Sequence, residues 1–126
     1  MAYILAGLMA ALSFLLNRVA LRYVGLKAVI TCGPVLEEAV KSWPAFYLGA
    51  DILLTHAGFG AIEAVYDWYT SQKHGSAAAA LSIFGHGLFG LVTVGTLSLT
   101  NQFPLALGAA IVTHLAWNVV MIRMNS

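Results

Sequence analysis

Residues 33–43 read Gly33-Pro34-Val35-Leu36-Glu37-Glu38-Ala39-Val40-Lys41-Ser42-Trp43 and place two adjacent carboxylates and a lysine inside an apolar run long enough to cross a lipid bilayer. An ionisable side chain at the centre of a bilayer costs about 2.5–3.5 kcal/mol on insertion scales, so such residues mark functional sites by default. Here three ionisable groups lie within five residues. This stretch is therefore the first candidate for a functional site.

The composition is that of a membrane protein. The chain has 126 residues, of which 60% are hydrophobic and only 9% charged, whereas soluble domains are about 25% charged. At about 20 residues per spanning helix, this length accommodates about five crossings in one domain over residues 1–126 and leaves no room for a separate soluble domain. We therefore predict an all-α integral membrane bundle of about five transmembrane helices. The net charge of +1 gives no reason to expect nucleic acid as a partner.

The hydropathy pattern predicts where these helices lie. We expect them over residues 2–16 (or a few residues beyond), 27–43 (or on to 48), 52–69, 77–99 and 103–123. Pro34, inside the second helix, predicts a kink just before Glu37 because proline lacks a backbone N–H. The first helix carries no ionisable group, so we expect it to contribute packing only.

Basic residues collect on one side of the predicted bundle. Those outside the helix interiors are Arg18, Arg22 and Lys27, in an expected connector over residues 17–27, together with Lys73 and Arg123. The positive-inside rule makes that side cytoplasmic, so the N-terminus is expected outside and the C-terminus in the cytoplasm. The expected outer connection, residues 44–51, lacks Lys and Arg. The position of Arg18 and Arg22 after the first apolar run predicts an uncleaved anchor and not a signal peptide.

Four predicted helices each carry an ionisable group at the same depth. Glu37, Glu63, His86 and His114 lie nine or ten residues from the cytoplasmic boundary of their helices, counted from Lys27, Lys73, Ser76 and Arg123 respectively. At 1.5 Å per residue they are about 14–15 Å deep, near the middle of a hydrocarbon core about 30 Å thick. We expect these side chains to meet in one shared cavity, because exposing them to lipid is costly.

The helical spacing of the polar residues supports this convergence. On the third helix, a stripe contains His56, Gly60, Glu63 and Asp67; on the fourth, Ser82, His86, Gly90 and Thr93; on the fifth, His114 and Asn118. Small residues in such a stripe let helix backbones approach closely. The sequence thus predicts three polar faces that turn inward.

Each of these residues also has a purely structural interpretation. Lys41 is spaced to pair with Glu37 or Glu38 within its own helix, and a lone membrane histidine is often satisfied by a neighbouring helix. We assign His56 and His74 to structure or solvent. Asp67 is either an interfacial anchor or a support for the site, and Trp43, Trp68 and Tyr69 are expected at the membrane interfaces.

The cluster suits two hydrolytic schemes. In the first, Glu63, His86 and His114 bind zinc, because two imidazoles and a carboxylate are a common catalytic ligand set, and Glu37 or Glu38 is the base. In the second, no metal is needed: Glu37 or Glu38 activates water directly, and His114 and Asn118 donate hydrogen bonds to the oxyanion. In both, Lys41 sets the ionisation of the glutamate pair.

The order of these residues resembles a known family. Glu37-Glu38-x-x-Lys41, Phe59-x-x-x-Glu63, an isolated His86 and a final His114 are similar to the motifs of PrsW-type intramembrane proteases, within the superfamily of CAAX-processing and bacteriocin-processing enzymes. The resemblance extends from Glu37 to Asn118, which is most of the chain. It implies a membrane-embedded endopeptidase that cleaves a membrane-anchored peptide or protein, in a prokaryotic cytoplasmic membrane.

Two departures from the family pattern bear on mechanism and assembly. Lys41 and Glu63 are like the PrsW branch, which is classed with metalloproteases. His114-x-x-x-Asn118 is instead like the CAAX branch, which is discussed as glutamate-dependent without metal. The chain is also shorter than typical members, and a homodimer is one way to supply missing walls.

Two other functions use the same residues. A small proton- or ion-coupled transporter or channel would relay ions through the midplane acids and histidines, although such transporters often contain internal repeats and none is evident here. An inactive relative that only binds a partner helix is the third interpretation.

Overall fold

The computed structural model describes residues 1–125, and these are entirely helical apart from short connections. Its elements are α1 (Ala2–Val24), a 3₁₀ segment (Gly25–Ile30), α2 (Cys32–Tyr47), α3 (Ile52–Thr70), α4 (Gly75–Thr100) and α5 (Phe103–Met124). Among residues 1–125, three helical stretches are long and apolar enough to cross a membrane, namely Ala2–Ile30, Gly75–Thr100 and Phe103–Met124. The all-α membrane fold class is therefore confirmed.

The first helix is longer than predicted, and the connector after it is not a loop. α1 continues to Val24, so Arg18 and Arg22 lie on its last two turns, and the 3₁₀ segment fills the rest of the expected connector. Aliphatic residues fill the positions between these two arginines. A long basic side chain near a helix end can reach the membrane interface from there. Gly25, with φ 74°, ends α1 in a conformation that glycine adopts readily.

The expected kink at Pro34 is wrong. Because α2 begins at Cys32, Pro34 lies in its first turn, where a backbone N–H has no intrahelical partner to lose. Pro44, expected in the outer connection, instead lies inside α2. The outer connection is shorter than predicted and turns at Gly49, with φ 67°.

The last three helices agree with the prediction to within two residues at each end. Asp51 begins α3 as its N-cap, where the carboxylate accepts a hydrogen bond from the backbone N–H of Leu54 at 2.8 Å. A four-residue turn over residues 71–74, which includes Lys73, joins α3 to α4, and Asn101, in the left-handed region, ends α4. These local stop signals explain why the boundaries were predictable.

The antiparallel pair α3 and α4 forms the largest interface of the bundle, and two glycines set its spacing. A Cβ added to Gly60 would lie 2.9 Å from the Cβ of His86, and a Cβ added to Gly90 would lie 2.9 Å from the Cβ of His56. Each histidine therefore sits over the glycine of the opposite helix. The two segments share the pattern His-x-x-Phe-Gly, at residues 56–60 and 86–90.

This shared pattern is much shorter than the internal repeats of transporters, so the expectation that the sequence contains no such repeat still stands. The pattern is only five residues long, and the repeats face each other because α3 and α4 run in opposite directions. Close backbone contact through small residues is a common way to associate membrane helices. The repeat therefore holds the two imidazoles at fixed heights in the bundle.

Replacing Gly90 by Ala is expected to destabilise the bundle by about 1–3 kcal/mol, because the added methyl group overpacks the His56 contact. Gly95→Ala on the same helix is the matched control, since a Cβ there meets nothing within 4 Å. Unfolding of both variants in detergent, titrated with a denaturing surfactant, measures the difference. Equal stability of Gly90→Ala and Gly95→Ala would show that the close approach does not constrain packing.

Candidate functional site

A buried ion pair lies at the centre of the polar cluster. The side chains of Lys41 and Glu38, one turn apart on α2, are both fully buried, and Lys41 Nζ donates to Glu38 Oε1 at 2.7 Å. The ammonium also lies 4.6 Å from the ring centroid of Phe59 and 5.8 Å from that of Phe89. The two Phe-Gly segments of α3 and α4 thus enclose the charge with favourable cation–π geometry.

Lys41 determines which nitrogen of His86 carries the proton. Lys41 Nζ donates to His86 Nδ1 at 2.8 Å, and an ammonium can only donate. Nδ1 must therefore be the acceptor, and the ring proton lies on Nε2, which bonds to the carboxylate of Glu63. The proton assignment follows from these partners.

Glu38 orients the second imidazole in the opposite sense. His114 Nδ1 lies 2.7 Å from Glu38 Oε1, and because a carboxylate only accepts, Nδ1 is the donor. His114 Nε2 then has a free lone pair in the neutral ring, and it lies 3.8 Å from Glu37 Oε2. The ring is further fixed by stacking on Phe89, with centroids 4.2 Å apart. One imidazole therefore offers an N–H and the other an acceptor.

Glu37 and Glu38 are adjacent in sequence but occupy different surroundings. Glu38 is fully buried in the ion pair, whereas Glu37 lies on the wall of a large cavity and accepts a hydrogen bond from the Asn17 amide of α1. Successive helical residues point about 100° apart, which separates the two carboxylates. The expectation that the first helix only packs is wrong, because Asn17 reaches the site.

That cavity has a volume of about 830 Å³ and lies between α1 and α3. Small and apolar residues of α1 form one wall, and the other wall includes Phe59, Ile62 and Tyr66 of α3. Glu37 and Glu63 both line it, and the Glu63 side chain is 36% exposed. Of the cluster, these two carboxylates are therefore the groups that a bound molecule can touch.

Three groups lie close enough to share a metal ion, but their protonation does not fit one. Glu37, Glu63 and His86 each offer an atom within 4.8 Å of the others. A ligating histidine normally donates its second ring N–H to a carboxylate or carbonyl. His86 Nδ1 instead accepts a hydrogen bond from the Lys41 ammonium, which leaves Nε2 protonated and unable to ligate. His114, expected as a ligand, has the required carboxylate partner but lies outside this group.

Asn118 is placed differently from its expected role as an oxyanion donor. Its amide donates to the backbone carbonyl of Val29 at 2.8 Å. The side chain therefore ties the 3₁₀ segment to α5. Since that segment leads directly into α2, Asn118 supports the position of Glu37 from outside the cluster.

His56 and Ser42 belong to the cluster although the sequence assigned His56 to structure or solvent. Both are fully buried, Ser42 Oγ lies 3.0 Å from His56 Nε2, and that nitrogen lies 3.9 Å from Glu38 Oε2. Solvent exposure is thus wrong for His56. The repeated His-x-x-Phe-Gly pattern was the signal that could have placed it opposite His86.

The remaining polar and aromatic positions lie at the margins. Asp67 accepts a hydrogen bond from the Ser82 hydroxyl, one turn from Glu63, which makes it a support for the site. His74 is exposed in the α3–α4 turn. Trp43, Trp68 and Tyr69 are exposed on the surface of the bundle.

Replacing Lys41 by Met is expected to lower the free energy of unfolding by about 3–5 kcal/mol, because it leaves the Glu38 carboxylate buried without its counter-ion. Adding Glu38→Gln to this variant should recover most of the loss, since the buried charge is then absent. Lys73→Met, in the exposed turn, is the matched control. Surfactant-induced unfolding in detergent measures the stability of wild type, the two single variants and the double variant. If Lys41→Met and the double variant lose the same free energy of unfolding, the ion-pair assignment is contradicted.

Comparison of the chain with protein-family models, curated proteins and solved structures gives no match. The resemblance to PrsW-type proteases thus rests on the order of motifs from Glu37 to His114. The geometry described above brings the members of those motifs into one cluster.

Proposed function

We propose that this chain is an intramembrane endopeptidase of the PrsW type that cleaves membrane-anchored peptides or proteins in a prokaryotic cytoplasmic membrane. The observation that carries the proposal is the pair of carboxylates, Glu37 and Glu63, on the wall of a cavity within an apolar bundle. Each carboxylate is backed by an imidazole from another helix, His114 and His86 respectively. Costly groups gathered around a cavity are typical of an active site.

Glu37 is the base in this proposal. It lines the cavity and is held by the Asn17 amide, so its carboxylate can take a proton from a water molecule that attacks the scissile carbonyl. Glu38 is a positioning residue, since it is fully buried and its Oε1 is occupied by Lys41 and His114. This division of roles separates the two members of the glutamate pair.

The two imidazoles supply the remaining proton chemistry. His86 is not among the residues lining the cavity, but its Nε2–H donates to the carboxylate of Glu63 on the cavity wall and can hold that carboxylate in place beside the substrate. His114 lies behind Glu37, and its Nε2 lone pair can hold the proton that Glu37 takes from water until Glu37 passes it to the leaving amine nitrogen. Lys41 and Glu38 keep these two roles distinct by fixing opposite tautomers.

The metal-free scheme is the one that the donor set supports. Zinc at Glu37, Glu63 and His86 would require His86 to give up the Nε2 proton while Lys41 still donates to Nδ1. A neutral imidazole has one ring proton and cannot leave both nitrogens as acceptors. The proposal therefore assigns catalysis to glutamate and histidine.

Glu37→Gln is expected to reduce cleavage by at least about 100-fold, because the amide cannot accept the proton of water. The glutamine oxygen can still accept from Asn17, so the fold is retained. Membranes of a host expressing wild-type protein or the variant are compared by mass spectrometry for new peptide termini in membrane proteins. Asp51→Asn, an acid-to-amide change at the α3 N-cap, is the matched control; identical termini from wild type and Glu37→Gln would remove the proposal.

Metal removal is expected to leave activity unchanged. Purified protein dialysed against a chelator should cleave the substrates identified above at the untreated rate, and elemental analysis should find no stoichiometric zinc. If instead one zinc per chain is present and is lost in Glu63→Gln, the metal scheme replaces the glutamate scheme. Loss of that zinc in His114→Gln as well would favour the ligand set Glu63, His86 and His114 that was predicted from the sequence.

A further inference from the structure

The cavity between α1 and α3 extends well beyond the two carboxylates. Its lining follows α1 from Gly7 to Leu21, a rise of about 21 Å at 1.5 Å per residue. An extended chain advances about 3.3–3.6 Å per residue, so the cavity has the length of about six residues. It is longer than a site for water and a single peptide bond requires.

We propose that this cavity binds an extended, largely apolar segment of another membrane protein, with α1 as one wall of the binding groove. The inference deepens the proposed protease function by naming where its substrate lies and in which conformation. The scissile bond would then lie beside Glu37 and Glu63, partway along the groove.

The distribution of polar groups favours a peptide over a lipid chain. Three carboxylates, Glu37, Glu63 and Asp67, line an otherwise mostly apolar groove, and Arg18 is the one basic residue among the lining side chains. A peptide backbone supplies N–H donors for such groups, whereas a hydrocarbon chain leaves them without partners at a cost. The groove is therefore complementary to a polar backbone with apolar side chains.

An unpartnered hydroxyl points to the same occupant. Ser13 Oγ is buried, lies on the cavity wall and has no hydrogen-bond partner among residues 1–125. Ser13 is four residues before Asn17, so both project from the same face of α1. A rotation of the Ser13 side chain would turn this hydroxyl into the cavity, where a backbone carbonyl or N–H of a bound strand can satisfy it.

The conformation of the occupant follows from its hydrogen bonds. In an α-helix, the backbone N–H groups bond to carbonyls of the same helix and cannot reach the acids of the groove. In an extended segment they are free, and the scissile carbonyl is exposed to Glu37. A substrate with a weakened helix is therefore expected to bind better than a rigid one.

The glycines of the chain provide a matched test. A Cβ added at Gly7, on the cavity wall, meets nothing within 4 Å, and the same is true at Gly108 on α5, outside the cavity. Gly7→Phe therefore fills the groove, while Gly108→Phe adds the same side chain elsewhere. Ala11→Phe, also on the cavity wall, is a second blocking variant in case Gly7→Phe does not fold.

The experiment uses wild-type protein in liposomes with a photoreactive single-span peptide of about 20 residues that carries a central Gly-Pro pair. A second probe has Leu-Ala in place of Gly-Pro and remains helical. Crosslinks of the first probe are expected on the cavity residues of α1 and α3, with about tenfold lower yield from the helical probe and about tenfold lower yield in Gly7→Phe or Ala11→Phe. Gly108→Phe should match wild type.

Several results would overturn the groove. Crosslinks that map to α4 and α5, or equal crosslink yields from the two probes, would do so. Crosslink yields that are unchanged in both blocking variants would also do so. So would labelling of the cavity by a photoreactive phospholipid, but not by the peptide, if the blocking variants reduce that labelling. The assay measures binding and does not need Glu37 chemistry. If the blocking variants reduce crosslinking but no cleavage is found, the groove proposal holds and the protease proposal fails. If cleavage depends on Glu37 but is unaffected by the blocking variants, the protease proposal holds and the groove proposal fails.

Discussion

The ammonium of Lys41 is the constraint around which the polar interior is built. A buried charge is tolerated only when other groups replace its hydration, and the loss of one partner of such a pair typically costs several kcal/mol. Here the partners come from three helices: Glu38 of α2, Phe59 of α3, and His86 and Phe89 of α4. The packing of these helices is thereby tied to one point.

The ion pair also gives the two imidazoles opposite orientations of their protons. Lys41 donates to Nδ1 of His86, and Glu38 accepts from Nδ1 of His114. Each ring consequently presents its Nε2 toward a carboxylate of the cavity, protonated in His86 and unprotonated in His114. A ring N–H and a ring lone pair are thus both fixed within the cluster, an arrangement that the proposed hydrolytic mechanism uses.

The sequence predicted the fold and the meeting of the polar residues better than it predicted their contacts. Because the rise per residue in a helix is constant, the depth of a residue in the membrane can be counted from the end of its helix. This count predicts the same depth for Glu37, Glu63, His86 and His114. The sequence does not predict the full extent of α1, because Arg18 and Arg22 are typical of a connector at the membrane surface. Asn17 was missed for the same reason, since its role exists only if α1 continues through it.

Side-chain direction was the harder problem. Helical spacing fixes a direction only relative to the other residues of the same helix, so Glu37 and Glu38 could not be told apart until the neighbours of each were known. The tautomer of His86 depends on its contact with Lys41, which is 45 positions away in the sequence. The tautomer of His114 depends on its contact with Glu38, which is 76 positions away. No local pattern carries that information. His56, by contrast, was within reach, because its Phe-Gly continuation matches that of His86.

The same geometry bears on the choice between a hydrolase and a conducting protein. A conduction path must be continuous from one side of the membrane to the other. The hydrogen-bonded chain runs from Glu63 at the cavity through His86 and Lys41 to Glu38, and from there His114 leads back to Glu37 on the same cavity. Otherwise, among residues 1–125, Glu38 approaches His56 and its partner Ser42, which are fully buried. A fixed cation in the middle of such a chain opposes the passage of other cations. The His-x-x-Phe-Gly pair covers five residues on each of two helices, which suits helix packing and falls short of the whole-domain repeats of transporters. A hydrolytic site needs access from one side only, so the polar cluster is better matched to chemistry at its cavity wall than to transport through the bundle.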